Sequence, residues 1–86
     1  MALTTLQRSS WSGDPAKHGD LFRVHKDRCG RQLQAVCQLW THQFGWELRL
    51  VVNDGQLQRS QVCRSQDEVI EAGGTWRAAM VEKGWV

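Results

Sequence analysis

Side chains of the types that ligate metals or attack electrophilic carbon, among them His25, Cys29, Cys37, His42 and Cys63, are scattered along the chain. A tetrahedral metal site needs ligands delivered in close pairs such as Cys-x-x-Cys or His-x-x-x-His, and these five supply none. Cys63 precedes Arg64 and a helix start, a setting that can lower a thiol pKa. To act as a nucleophile it would also need His25 or His42 beside it and a third group to orient the ring, which no spacing here demands. Cys37 and Cys63 are therefore expected as small buried hydrophobes, and Cys29 as a turn residue. Nucleophile elbow, glycine-rich phosphate loop and paired-carboxylate motif are all missing. The expectation is a non-enzymatic protein with no catalytic residues, no metal and no cofactor.

Binding is the chemistry left. Arg23, Lys26, Arg28 and Arg31 cluster with His25 around one hairpin, and Arg49 and Arg59 could extend them beside Trp40. Cations for phosphates with an aromatic for stacking is how sheets grip single-stranded nucleic acid. Against this, the formal net charge is only +2, short of the basic footprint of nucleic-acid binders. Strand edges also carry Arg and Lys simply to discourage aggregation. Tryptophan points elsewhere. Of the five tryptophans, Trp46 and Trp76 belong inside, whereas Trp11, Trp40 and Trp85 lack obvious burial and tryptophan is enriched at interface hot spots. A small sheet also has edges on which a partner strand, or a second copy, can be added. A protein partner is the expectation, with nucleic acid as the alternative; Arg23, Lys26, Arg28, Arg31, Trp40 and Arg49 form the candidate surface.

Composition bounds the setting. With 86 residues, 41% apolar and 23% charged, the chain reads as one globular domain near the small end of what buries its own core. No apolar run reaches the length of a membrane span and no secretory leader is visible, so no membrane partner is expected. Three cysteines, an odd number without paired spacing, suit a reducing cytoplasm.

The elements that must position these residues follow from periodicity. Gly45 to Val52 alternates with Trp46, Leu48, Leu50 and Val52 on one face, and Asn53-Asp54-Gly55 follows as a hairpin signal. A two-residue Asp54-Gly55 turn would set Val52 opposite Leu57, Leu50 opposite Arg59, Leu48 opposite Gln61 and Trp46 opposite Cys63. A three-residue loop would instead turn Ser60 and Val62 inward, since one step of register flips a strand. Leu21–Arg28 and Gln32–Trp40 alternate as a first hairpin around Cys29-Gly30. Residues 1–20, crowded with Ser, Gly, Asp and Pro15, read as a flexible tail, although Trp11 is large enough to cover a sheet edge. Ser65 with Glu68 three residues on forms a capping box, opening a helix whose stripe is Val69, Ala72, Gly73, Trp76, Ala79 and Met80 and which Gly84 stops. Gly73-Gly74 is costly in mid-helix and implies close approach to the sheet, beneath Trp46. The fold class is α+β: an antiparallel four-stranded sheet, ββββα, with one helix across one face and residues 21–86 as a single domain.

The strand GWELRL, the glycine turn and the helix ending WRAAMVEKGW resemble small uncharacterised bacterial proteins with a Trp-Glu-x-x-Leu strand and a terminal Gly-Trp. The likeness spans about residues 21–86 and implies the strands-then-helix fold. It carries no activity onto any named residue, and Gly73-Gly74 departs from the alanine-rich helix of that pattern.

Overall fold

The computed structural model describes residues 13–53 and 55–86. Four strands, β1 (Lys17–Arg28), β2 (Arg31–His42), β3 (Gly45–Val52) and β4 (Gln56–Cys63), precede one helix, α1 (Gln66–Glu82). The strands form a single antiparallel sheet in the order β1-β2-β3-β4, so the architecture is the α+β arrangement that the alternation implies. The helix covers one face. Val24, Ala35, Cys37, Leu39, Trp46, Leu48, Leu50 and Cys63 from the sheet and Val69, Ala72, Trp76 and Met80 from α1 make the buried core. Strand side chains alternate between faces, so Val36, Trp40, Glu47, Arg49 and Val51 fall on the uncovered face.

Strand β1 begins at Lys17, not at Leu21, so Lys17–Asp20 belong to the sheet rather than to a tail. The extension is anchored by paired bonds between Ala16 and Thr41. The Ala16 amide donates to Thr41 Oγ1 at 2.9 Å and its carbonyl accepts from the Thr41 amide at 2.9 Å. Two irregularities, between Lys17 and Gly19 and between Asp20 and Phe22, explain why this strand alternates so weakly. The residues they leave over, His18 and Leu21, both turn to the helix side: the His18 ring meets Trp46 edge-on at 5.3 Å, and Leu21 reaches Gly73. Trp11 and the rest of residues 1–12 lie outside the described residues.

Strand β4 keeps three of the four expected pairs, Trp46 with Cys63, Leu48 with Gln61 and Leu50 with Arg59. The fourth differs. Val52 pairs with Gln56 rather than Leu57, which leaves a connection of residues 53–55, and a shift between Leu50 and Val51 strands Gln58 without an opposite. Position 54 lies outside the described residues; Asn53 and Gly55 both carry positive φ, 49° and 129°. A three-residue loop with such backbone pairs naturally with a bulge, and the bulge restores Cys63 to the core face, fully buried against Trp46.

Helix α1 starts as its residues dictate. Ser65 has extended backbone and its Oγ accepts from the Glu68 amide at 3.2 Å. The Glu68 carboxylate, however, accepts from the Arg64 amide at 2.9 Å rather than from that of Ser65, which ties the end of β4 to the helix. At the other end Lys26 Nζ donates to the Lys83 carbonyl at 2.6 Å, a cation where the helix dipole is negative. Beyond Gly84, Trp85 is half-buried against the core and Val86 exchanges both backbone bonds with His25 on the outer edge of β1.

The close approach at the helix glycines is to Leu21 rather than to Trp46. A Cβ on Gly73 would lie 3.2 Å from Leu21 Cδ1, whereas Gly74 is exposed with nothing within 4 Å. Gly74→Ala should therefore raise stability by roughly 1 kcal/mol through helix propensity alone. The check is an upward shift of the urea midpoint at constant m-value.

Candidate functional site

The six expected surface residues do not form one basic patch. Arg23 and Arg49 share the open sheet face with Trp40, but both are matched by acids. Arg23 Nη2 sits 3.0 Å from Asp20 and Arg49 Nη2 2.8 Å from Glu47. Arg49 also lies over the Trp40 ring at 4.1 Å, and Trp40 donates to Gln38 Oε1 at 2.9 Å. Asp20 additionally pairs with Lys17 at 3.0 Å; that hydrogen bond, aided by the charges of Lys17 and Arg23, holds its carboxyl below the usual range against a partial desolvation penalty. Lys26 is on the helix side, spent on the Lys83 carbonyl. Arg28 and Arg31 face each other across the hairpin end, and Arg28 turns toward the helix side, where it lines a cavity. What remains on the open face is a hollow of about 270 Å³ bounded by Lys17, Arg23, Val36, Val51 and Gly55, its two cations sharing the one carboxylate of Asp20.

The thiols divide between core and surface. Cys37 and Cys63 are buried in the core and Cys29, with φ of 52°, is exposed in the β1–β2 turn. Burial, reinforced by neighbouring Cys63 and Asp20, pushes the Cys37 thiol up to about 11, and burial with the nearby Glu68 charge also raises Cys63. Both shifts oppose thiolate chemistry. No group of three His, Cys, Asp or Glu side chains that could hold a metal ion occurs among the described residues. Iodoacetamide at neutral pH should modify Cys29 quickly and Cys37 and Cys63 only on unfolding, read as one adduct against three by mass spectrometry. Linkage adds an alkaline signature. A thiol that keeps its proton in the folded state contributes stability that is full below the unfolded pKa and is lost as pH rises through about 11.

A groove opens where α1 fails to cover β4. Every residue of β4 except Cys63 is exposed, although Arg59 and Gln61 occupy helix-facing positions. Between them and the helix runs a groove of about 320 Å³, walled by Glu68, Glu71 and Thr75 and floored by Trp76. The Arg59 guanidinium lies over Trp76, 4.5 Å from the ring centre. At Arg59 and Trp76 the groove opens into a second cavity of about 440 Å³ beneath the C-terminal half of α1. Leu33, Leu50, Val52, Met80 and Trp85 supply its apolar lining and Arg28, Arg59 and Lys83 its charges.

No family model, curated protein or solved structure matches the chain. The site is therefore read from its geometry alone. Of its residues, Arg59 stood in the sequence as an extension of the basic cluster and as the partner of Leu50, and Trp76 only as core. Glu68 stood as a capping residue, and Glu71 was not singled out. The signal that could have found the groove is the run of polar residues at helix-facing positions of β4. A strand whose inward side is Arg59 and Gln61 is one that its helix does not cover.

Proposed function

We propose that this protein is a non-enzymatic binding domain that takes an extended segment of a protein partner as a fifth strand along β4. The observation that carries the reading is the contrast between the two sheet edges. Strand β1 is defended by two bulges, six charged residues and the Val86 bridge at His25. Strand β4 is regular from Arg59 to Cys63, has Arg59 as its one charge, and has no partner on its outer side among the described residues. Charges, bulges and covering segments are how proteins forbid strand addition, and β4 lacks most of them. Beside it runs a groove between edge strand and helix, the arrangement in which added strands place alternate side chains in pockets while main-chain bonds supply affinity.

The nucleic-acid reading is supported less well, because Arg23 and Arg49 are matched by acids and Lys26 is turned away. Among the described residues no helix is long and apolar enough to cross a membrane; the three free thiols favour work in a reducing cytoplasm.

The test is selection from a random heptapeptide library followed by ¹⁵N NMR of the bound state. Selected peptides should shift the amides of Arg59, Ser60, Gln61 and Val62 and slow hydrogen exchange along β4. Shifts confined to Arg23, Trp40 and Arg49, or tighter binding of oligothymidylate than of any selected peptide at low salt, would overturn the reading. So would a concentration-dependent dimer by light scattering in which β4 is already protected.

A further inference from the structure

Resting on β4 as the docking edge, we infer that the partner segment is a protein C-terminus, laid antiparallel to β4, whose last residue is apolar and whose free carboxylate lies in the cavity under the C-terminal half of α1. The direction comes from charge. Helix α1 begins where β4 ends, so the groove between them has an acidic half at Glu68 and Glu71 and a basic half at Arg59, Lys83 and Arg28. A strand antiparallel to β4 runs from the acidic half to the basic half. Its own polarity, amino end first and carboxylate last, matches that gradient, and a parallel strand opposes it at both ends.

The cavity then selects the terminus. Its described lining contains three cations and no acid, and none of the three is ion-paired among the described residues; Arg59 rests on Trp76. Uncompensated cations around an apolar floor fit a ligand with one negative charge on an apolar body. The helix end would normally repel an anion, since its last carbonyls point that way. Here they are occupied: Met80 O accepts from the Lys83 and Trp85 amides, Val81 O from the Gly84 amide, and Lys83 O from Lys26 Nζ. Capping removes much of the negative potential and leaves the side chains of Lys83, Arg28 and Arg59 to set the sign. Leu50, Val52, Met80 and Trp85 provide the surface for the terminal side chain. The volume of about 440 Å³ suits one large residue and its carboxylate, within the range of small-ligand pockets.

The experiment compares two synthetic random heptapeptide libraries, one with free carboxyl ends and one amidated, on the full chain. Enrichment should come from the free-acid library with Leu, Ile, Phe or Val in the last position. A fluorescein-labelled selected peptide should bind at least about tenfold tighter as acid than as amide by anisotropy. Double substitution R28Q/K83Q should abolish the preference for acid over amide when both peptides are measured on the same variant. Both residues are exposed, so folding is preserved and is checked by circular dichroism. Equal enrichment from both libraries, with shifts still along β4, would overturn this inference and leave the docking edge standing. No enrichment from either would remove both. Dodecanoate displacing the peptide at lower concentration than the free acid itself would assign the cavity to a fatty-acid ligand and overturn it as well.

Discussion

Gly45→Ala is expected to cost roughly 3 to 5 kcal/mol and to leave much of the protein unfolded at room temperature, combining backbone strain with a clash that cannot relax. Gly45 has φ of 139°, a region that residues with a Cβ rarely adopt, and an added Cβ would sit 2.5 Å from the Cys63 carbonyl oxygen and 3.1 Å from Arg64 Cα. Both are backbone atoms of the segment that leads from β4 into α1. Displacing them disturbs the Trp46–Cys63 pair and the helix cap together. Gly30→Ala provides the comparison: φ is 78° but nothing lies within 4 Å, so only conformational strain of about 1 kcal/mol is expected. Urea unfolding of the two variants decides the matter. A Gly45→Ala protein within 1 kcal/mol of the parent would mean that β3 does not run against the Cys63–Arg64 backbone.

Trp46→Ala should destabilise by about 3 to 5 kcal/mol, the usual cost of truncating a buried aromatic. Trp46 is 2% exposed, opposite Cys63 on β4 and Thr41 on β2, with His18 at its ring edge. It spans three strands, so its loss opens a cavity that no single neighbour can fill. Trp40→Ala is the control from the other face. That ring is half-buried under Arg49, and its removal should cost on the order of 1 kcal/mol. Denaturation of both by urea, followed by fluorescence of the remaining tryptophans, gives the comparison. If Trp40 proves the costlier of the two, the helix covers the opposite face of the sheet.

How far the sequence could be read is visible in these same residues. Where one face is buried and the other solvated, as in Trp46, Leu48 and Leu50, alternation specifies strand, face and partners, and the structure agrees. Helix α1 was equally legible because Ser65, Glu68 and Gly84 mark its ends chemically. Misreadings fall where an extra residue interrupts the period. His18 and Leu21 in β1 and Gln58 in β4 each add one residue, so Lys17–Asp20 read as tail and the β3–β4 loop read one residue short. A bulge leaves no mark on composition. The candidate surface fared differently because strand parity assigns faces but not ion pairs. Parity puts Arg23 and Arg49 together on the open side, whereas Asp20 and Glu47 had to be placed in space before their neutralising effect showed. The same parity already separates Lys26 from Arg23. The groove beside β4 depends on how far α1 extends across the sheet, a rigid-body quantity that periodicity does not encode.

The meander has a kinetic consequence. Among the described residues each strand pairs within the sheet only with its sequence neighbours, across connections of two or three residues, so the sheet can zip up through short-range hairpin steps with little loop-closure entropy to overcome. Among the described residues, the Val86–His25 bridge and the packing of α1 on β1 join segments farther apart along the chain than any strand pair does. These are the attachments to form last and release first. Amide protection should accordingly fall into two tiers, with the central β2 and β3 amides exchanging through global unfolding and the α1 amides through an undocking that leaves the sheet standing.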